Sequence, residues 1–326
     1  MRTPWFSTIV ALVAVSALPV FAQTAAFPNK PLRMVIPYPA GGPTDILARH
    51  VAADMGVVLG QQVVADNRPG ANGVIGSEFV ARAAPDGYTM LMTGIDQHIG
   101  NVLMYKSVPY DALNDFAPVT QVNSVPMVLV INPSVAANNV AELVKIARAQ
   151  PGKISYASSS IGSLSHLGGE QFRLMAGIDI THIPYKGGGP ALNDVVGGQV
   201  PMYFSGVNAA LPFIKAGRLR ALAVTGTSRL AVLPNVPTVA ETPEFKGYEA
   251  TLLFGLWVPA KTPPEIIAKL QQSVARAIRT PKFQQMFDAD GSGAPIGNTP
   301  AEMAATISAA GKRLPAIIKA SGIKPE

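Results

Sequence analysis

Short apolar runs alternate along the chain with longer stretches in which apolar residues recur every third or fourth position. Leu32–Ile36 is a compact apolar run, and Leu47, Val51 and Met55 then lie on one face of a helix. The same alternation predicts strands at residues 32–36, 63–64, 89–92, 125–131, 153–157, 178–183, 200–204 and 219–225. It predicts helices at residues 47–59, 74–82, 140–147, 164–175, 190–196, 211–216, 265–279 and 301–320. Strands that alternate with helices indicate an α/β fold of mainly parallel sheets flanked by helices.

Two late helices carry sequence signals for their first turn. Thr262-Pro263-Pro264-Glu265 and Thr299-Pro300-Ala301-Glu302 both have the spacing of a capping box with proline in the first turn. Polar and glycine-rich loops are expected at residues 38–43, 93–100 and 158–162. The apolar segment 252–258 is expected to cross between two domains.

Residues 1–22 have the pattern of a secretory signal peptide. Arg2 supplies a positive start, Ile9–Val15 is an apolar run, and Val20-Phe21-Ala22 precedes an expected cleavage before Gln23. The apolar run is shorter than the ~20 residues that a membrane-spanning helix needs, and Pro19 interrupts its continuation. Export and removal of this leader are therefore predicted.

The composition narrows the classes of function. The chain has 326 residues, no cysteine, 48% hydrophobic residues, 14% charged residues and a formal charge of +6. This hydrophobic fraction excludes an intrinsically disordered chain, and the lack of cysteine excludes disulfides, thiolate metal sites and a cysteine nucleophile. Lysine and arginine are spread singly, whereas a nucleic-acid-binding surface needs them clustered. Nucleic acid is therefore not an expected partner.

The first candidate binding site is the segment between the first strand and the first helix. Gly41 and Gly42 allow backbone N–H groups to approach a ligand closely, and the helix start adds unpaired donors and a partial positive charge. This arrangement suits a carboxylate or phosphate, although a tight strand-to-helix turn explains the glycines equally well. The ligand-binding candidates here are Tyr38, Pro39, Ala40, Gly41, Gly42, Thr44 and Asp45.

The second candidate is a serine-rich loop that precedes the helix predicted at residues 164–175. Five serines and one histidine fall within the nine residues 158–166. Serines favour helix starts, but a single cap does not need five hydroxyl groups, and this excess favours anion binding. The candidates in this loop are Ser158, Ser159, Ser160, Gly162, Ser163 and His166.

Three further candidates follow other predicted strands. Asp96, His98 and Ser205 are expected to line the same cleft, because ligands in open α/β sheets bind at the carboxyl ends of the strands. A hydrolase would need a serine to work with His166, but adjacent helix residues point in different directions, and the sequence contains no Gly-x-Ser-x-Gly motif. The four histidines are scattered, so neither a catalytic residue, a metal site nor a cofactor is expected.

Several segments together resemble one protein family. They include Pro37–Asp45, Asp66–Gly73, Tyr156–His166, His182–Ala191 and Leu233–Glu241, and the matching stretches cover nearly the whole chain after the leader. The chain resembles the Bug-type solute-binding receptors of tripartite tricarboxylate transporters. The resemblance implies a periplasmic receptor whose two domains close on a small carboxylate, which is gripped by the two loops described above. It also implies a membrane permease or a sensor as the partner of the loaded receptor.

Three departures from the family pattern bear on the ligand. Thr93–His98 replaces small or hydroxyl residues, Ser205 stands where an aspartate is common, and Leu314 stands near a usual tryptophan. Loss of the aspartate removes a counter-charge for an amino group and lowers repulsion of a second carboxylate. A dicarboxylate or aromatic carboxylate is therefore expected, and amino-acid and citrate-like acids stay open as alternatives.

The domain boundaries are expected where the chain crosses between two halves. Residues 28–124 together with 251–326 are predicted to form domain 1, and residues 125–250 domain 2, in a type II, Venus-flytrap arrangement. The receptor is expected to be a monomer. The other readings of the sequence are an exported hydrolase that uses Ser163 or Ser165 with His166, and a periplasmic scaffold without a small ligand.

Overall fold

The computed structural model describes residues 27–41, 43–290, 293–322 and 324. The predicted signal peptide and Gly42 lie outside the described residues. The strands are β1 Leu32–Ile36, β2 Val63–Asn67, β3 Thr89–Gly94, β4 Phe116–Ile131, β5 Ser155–Ser158, β6 Thr181–Pro184, β7 Met202–Gly206, β8 Arg220–Val224, β9 Thr251–Pro259 and β10 Ala294–Pro295. The helices are α1 Pro43–Leu59, α2 Val74–Ala81, α3 Ile95–Met104, α4 Val140–Ala149, α5 Leu164–Ala176, α6 Gly188–Val196, α7 Val207–Lys215, α8 Pro264–Ala277, α9 Pro281–Asp290 and α10 Pro300–Ser321.

The long strand β4 joins two sheets. Its first part lies in a sheet of order β2-β1-β3-β9-β4, and its last part pairs with β7 and β8 in a second sheet that continues through β5 to β6. The pairs that β1 makes with β2 and β3 are parallel, as are those that β5 makes with β6 and β7. The pairs that β4 and β9 make are antiparallel. The predicted α/β class is confirmed, but the sheets are mixed and not mainly parallel, because β4 and β9 pair antiparallel with their neighbours.

Both sheets are covered on two faces, as the strand pattern requires. Met34 and Ile36 of β1 pack beneath α1 and α8, whereas Val35 between them packs on the opposite face with α3 and α10. In the second sheet, Leu129 and Val130 of β4 likewise enter different clusters. Side chains of a strand alternate between faces, so one apolar run supplies two cores. No helix in the described ranges is long and apolar enough to cross a membrane.

One predicted loop is wrong, and the error matters for the site. Residues 93–100 were expected to be irregular, but β3 runs to Gly94 and α3 starts at once with Ile95. Ile95 and Ile99 are buried one turn apart and anchor this helix in domain 1. Asp96 and His98 therefore project from a helix, not from a loop.

The helix ends confirm one capping prediction and correct another. Thr299 accepts from the Glu302 N–H, and the Glu302 carboxylate accepts from the Thr299 N–H, which completes the predicted capping box of α10. Thr262 makes no such cap, because its hydroxyl donates to the Pro259 carbonyl (2.7 Å) and Pro263 is the cap residue of α8. The short helix α9 was not predicted from the sequence.

Candidate functional site

Three helices that follow a strand have glycine as the cap residue: α3 and α7 start directly at the strand end, and α6 starts after the three residues 185–187. Gly94 precedes α3, Gly187 precedes α6 and Gly206 precedes α7, and none of these starts has a side-chain cap. The first N–H groups of a helix have no acceptor within the helix, and they carry a partial positive charge. The start of α3 follows β3 of the first sheet, and the starts of α6 and α7 follow β6 and β7 of the second sheet, so both sheets carry such a helix start.

The loop between β1 and α1 is held in shape by Asp45. One carboxylate oxygen accepts from the Gly41 N–H (2.8 Å) and from Arg49 Nε (3.0 Å), and the other accepts from Asn67 Nδ2 (2.8 Å). Burial alone would raise the pKa of Asp45, but these hydrogen bonds outweigh it and hold the pKa below its ordinary value. The structure thus places Asp45 as the organiser of this loop, with its own acceptors occupied.

The other predicted residues of this loop differ in their exposure to solvent. Pro39, Ala40 and Gly41 are exposed, and Thr44 is buried in the first turn of α1. The Tyr38 hydroxyl lies 3.0 Å from Thr93 Oγ1, and this contact ties the β1–α1 loop to the end of β3. Burial raises the pKa of Tyr38 to about 12, so the phenol stays a neutral donor.

The serine-rich loop between β5 and α5 turns most of its hydroxyl groups inward. Ser163 Oγ lies 2.9 Å from Ser165 Oγ and donates to the Ser160 carbonyl (2.7 Å), and the Ser158 hydroxyl donates to the same carbonyl (3.0 Å). The Ser159 N–H donates to Ser165 Oγ (3.0 Å). Ser158, Ser163 and Ser165 are buried, whereas Ser159 and Ser160 are partly exposed. The hydroxyl groups predicted as ligand contacts therefore chiefly fix the loop.

This inward network leaves one backbone donor pointing the other way. The Ser160 carbonyl accepts three hydrogen bonds from within the loop, including one from the Ser163 N–H (3.3 Å). In a trans peptide the carbonyl and the next N–H point to opposite sides, so the Ile161 N–H is directed away from the network. It finds no acceptor in the described part of the chain. The loop thus presents a backbone N–H beside the start of α5.

The neighbouring loops of domain 2 are bonded to the serine-rich loop. The Gly187 N–H donates to the Ser159 carbonyl (2.8 Å), which joins the start of α6 to it. A methyl group on Gly188 would lie 3.1 Å from the Tyr203 hydroxyl. Ser205, at the end of β7, is buried and donates to the Gly206 carbonyl (3.1 Å). Uncapped starts of α6 and α7 therefore flank the serine-rich loop.

Asp96 in the first turn of α3 forms an ion pair that the sequence did not predict. One of its oxygens lies 2.6 Å from Arg313 Nη2 on α10, and its other oxygen accepts no hydrogen bond from the described residues. Burial raises the pKa of Asp96, while Arg313 opposes the rise and Glu249 adds to it. The Asp96 carboxylate is thus neutralised by direct contact with a residue that lies 217 positions later in the chain.

His98 is placed in the interior of domain 1. Its ring stacks on Tyr110 at 5.6 Å and contacts the rings of Phe116 (4.6 Å) and Trp257 (5.2 Å). Burial lowers the pKa of His98 to about 4, so the ring is neutral. The structure therefore gives His98 a packing position among aromatic rings of its own domain.

The two halves touch beside these loops. A methyl group on Gly162 would overlap the Met104 side chain at the end of α3, so the serine-rich loop lies against domain 1. Leu167 of α5 packs in the same cluster as Trp257 and Leu314 of domain 1. The serine-rich loop and α5 therefore contact α3, β9 and α10 where the two halves meet.

Comparisons with known proteins agree with this geometry. Residues 47–323 match the family described as the tripartite tricarboxylate transporter family receptor. The protein BugT of Bordetella pertussis is 37% identical over 94% of each chain. The solved structure of R. palustris Rpa4515 with adipate has a TM-score of 0.81 at 35% identity, and covers 92% of this chain and all of its own.

A further solved structure is more distant in sequence. MatC from Rhodopseudomonas palustris with bound malate has a TM-score of 0.75 at 28% identity, and covers 90% of this chain and all of its own. The likeness of fold extends over both domains, as the resemblance implied. These relatives are binding receptors, not enzymes. The chain belongs to the family of tripartite tricarboxylate transporter receptors, the Bug-type periplasmic solute-binding proteins.

Proposed function

We propose that this receptor captures a small dicarboxylate or aromatic carboxylate in the cleft between its domains, for uptake by a tripartite tricarboxylate-type permease or for a sensor. The observation that carries the proposal is the set of backbone donors at the uncapped starts of α3, α6 and α7 and at Ile161. Helix starts of this kind bind carboxylates without a full counter-charge. The predicted site residues stay part of the proposal, with Ser159, Ser160 and Tyr38 as accessible side-chain donors.

The charge balance near the loops favours an acid without an amino group. The buried acidic residues of the described chain are Asp45, Asp96 and Glu170, and each forms an ion pair with an arginine. An ammonium group would therefore find no buried carboxylate without a cation, and Ser205 offers it no charge. A second carboxylate on the ligand likewise meets no buried acidic residue without a cation among the described residues. The dicarboxylates adipate and malate occupy the related receptors Rpa4515 and MatC.

Ligand capture would draw the two domains together. Domain 1 is taken as residues 28–124 with 251–326 and domain 2 as residues 125–250, joined by β4 and the start of β9. A carboxylate bound to donors of both domains favours the conformation in which those donors lie close, and thus shifts the population toward closure. Small-angle scattering should show a smaller radius of gyration with a bound ligand. An unchanged radius at saturating ligand would argue against closure.

A calorimetric panel tests the ligand class. We expect adipate, malate or benzoate to bind, and we expect L-aspartate to bind at least about tenfold more weakly than the best of them. Adipamide, the neutral diamide of adipate, is the matched control and should not bind, since it lacks the charge that the helix starts favour. Tightest binding of aspartate would overturn the preference for acids without an amino group. Binding of adipamide as tight as that of adipate would overturn the carboxylate site.

The variant Ser205→Asp provides a second test of the ligand class. A carboxylate at this position should weaken dicarboxylate binding and improve aspartate binding relative to the wild type. Ser205→Ala is the control, because it removes only the hydrogen bond to the Gly206 carbonyl. Equal selectivity of Ser205→Asp and Ser205→Ala would contradict the assigned role of this position.

The proposed export is tested separately. The protein recovered from the periplasmic fraction should begin at Gln23, because the leader is expected to be removed after Ala22. Intact-mass measurement gives the mature start directly. A mass that includes Met1–Ala22 would contradict cleavage.

A further inference from the structure

Two histidines from different elements stack face to face beneath the serine-rich loop. His166 lies in the first turn of α5 and His182 on β6, with ring centroids 3.7 Å apart and planes within 7° of parallel. The Tyr156 ring lies 5.1 Å from His182 and 6.5 Å from His166. Such close parallel stacking requires that the rings do not both carry a charge, because like charges at this distance repel strongly.

His166 accepts a hydrogen bond from the backbone of the loop. The Gly162 N–H donates to His166 Nδ1 at 2.9 Å, so Nδ1 carries no proton and the neutral ring bears its proton on Nε2. Gly162 also has a φ of +72°, and its peptide follows directly after Ile161. The Nδ1 acceptor therefore fixes the turn from which the Ile161 N–H projects.

His182 supports the other end of the same loop. Its Nε2 lies 2.6 Å from Ser158 Oγ, and the Ser158 hydroxyl donates its proton to the Ser160 carbonyl (3.0 Å). A hydroxyl has a single proton, so His182 Nε2–H is the donor in this contact. The chain of bonds from His182 through Ser158 ends on the carbonyl whose orientation sets the direction of the Ile161 N–H.

We propose that His166 and His182 are positioning residues, which act as a neutral stacked pair to aim the Ile161 N–H at the carboxylate of the ligand. This inference rests on the proposed carboxylate binding, and it assigns to His166 an indirect role instead of the direct contact that its sequence position suggested. The ring of His166 is buried and its Nδ1 is occupied by the protein backbone, so this nitrogen is not available to the ligand.

The surroundings keep the pair neutral over the working range of a periplasmic receptor. Burial, with a smaller effect of the facing His182, lowers the pKa of His166 to about 3, and burial also lowers the pKa of His182, against an opposing effect of Glu170. The Glu170 charge is itself shared with Arg173 and with the Tyr156 hydroxyl. Ligand affinity should consequently stay constant between pH 8 and 7, because the lowered pKa values keep both rings neutral there and the ligand carboxylates stay ionised.

Two substitutions separate positioning from packing. His166→Asn keeps an oxygen acceptor for the Gly162 N–H, whereas His166→Leu fills space and accepts nothing. Both lose the stacked ring, so their melting temperatures should fall by similar amounts. Calorimetry with adipate at pH 7 should show binding at least about tenfold weaker in His166→Leu, and within about threefold of wild type in His166→Asn. Equal affinities of the two variants, whether weak or strong, would overturn the inference.

A measurement on the wild type keeps the test independent of variant folding. Long-range 1H–15N correlation spectra should show His166 and His182 as neutral Nε2–H tautomers from pH 8 to 7. A protonated ring, or an Nδ1–H tautomer of His166, would overturn the inference. If the wild type binds no carboxylate in the calorimetric panel, the proposed function fails instead, which is a different result from wild-type binding with no loss in His166→Leu.

Discussion

The ion pair between Asp96 and Arg313 allows a test of how a buried carboxylate in the first turn of α3 is stabilised. Arg313→Met keeps most of the aliphatic length of the side chain but removes the guanidinium that lies 2.6 Å from the Asp96 carboxylate. The Asp96 side chain is 5% exposed and the Arg313 side chain 36% exposed. The substitution therefore leaves a buried carboxylate without its cation, next to Glu249.

The expected magnitude follows from this burial. Removing one partner of a buried ion pair costs ~3–5 kcal/mol, and exposed pairs are worth ~1 kcal/mol or less. Because Arg313 is partly exposed, water screens the remaining charge, and we expect a loss of about 2 kcal/mol in the free energy of unfolding. For a chain of this size the melting temperature should fall by roughly 3 °C.

The pH dependence of the stability loss in Arg313→Met shows whether the Asp96 charge is its cause. The pKa of Asp96 is raised by burial, with Arg313 opposing the rise, so loss of Arg313 raises it further. A raised carboxyl pKa in the folded state favours folding at low pH and destabilises the fold as the pH rises through it. Differential scanning calorimetry should therefore show the full deficit of Arg313→Met at pH 7.5 and a smaller deficit at pH 4.

Two controls complete the design. Arg276→Met removes an exposed arginine near the end of α8 and should change the melting temperature little. The double variant Asp96→Asn with Arg313→Met removes both charges and should recover most of the lost stability at pH 7.5. A deficit that is equal at both pH values, together with a double variant no more stable than Arg313→Met, would refute the assignment to the Asp96 charge.

Three further predictions concern the loops and helix starts. Gly162→Ala should lose more stability than Gly177→Ala in urea unfolding. Both residues have positive φ, which costs ~1–2 kcal/mol for alanine, but only Gly162 adjoins Met104. Equal losses in the two variants would contradict the contact between the serine-rich loop and Met104. Thr299→Ala should cost about 1 kcal/mol and Thr299→Ser much less, and a similar loss in both would discount the capping box. Asp45→Asn should lower the free energy of unfolding by ~1–3 kcal/mol at pH 7; since the pKa of Asp45 is depressed, the wild-type advantage should vanish as the pH falls through that pKa, and an advantage that persists at pH 2 would contradict this role.

The alternation of strands and helices could be predicted from the sequence. Because both faces of each sheet are covered, its inner strands are continuous apolar runs that stand out from the helical pattern. The same reasoning located the loops at both main helix starts. The helix α3 escaped prediction because β3 passes into it at Gly94 without any intervening loop residue. The mostly antiparallel partners of β4 and β9 come from distant parts of the chain, and local patterns do not reveal such pairing.

The direction of side chains was the part of the site that sequence could not supply. The sequence singles out the serine-rich loop as a candidate, but whether Ser158 or Ser163 faces a ligand or a neighbouring carbonyl depends on the turn around Ser160. Likewise, the partner of Asp96 lies on α10, and the rings that enclose His98 come from three separate segments. The glycines before α6 and α7 are visible in the sequence, and the position of Gly206 just after the strand predicted at residues 200–204 is the available signal for α7.

The central claim is that backbone donors at helix starts, and not charged side chains, hold the carboxylate of the ligand. A crystal structure of the receptor with adipate tests this claim most directly. We predict carboxylate oxygens within 2.7–3.2 Å of the Ile161 N–H or of first-turn N–H groups at α3, α6 or α7, directly or through one ordered water. Adipate bound chiefly by lysine or arginine side chains, or outside the cleft between the two domains, would contradict the account.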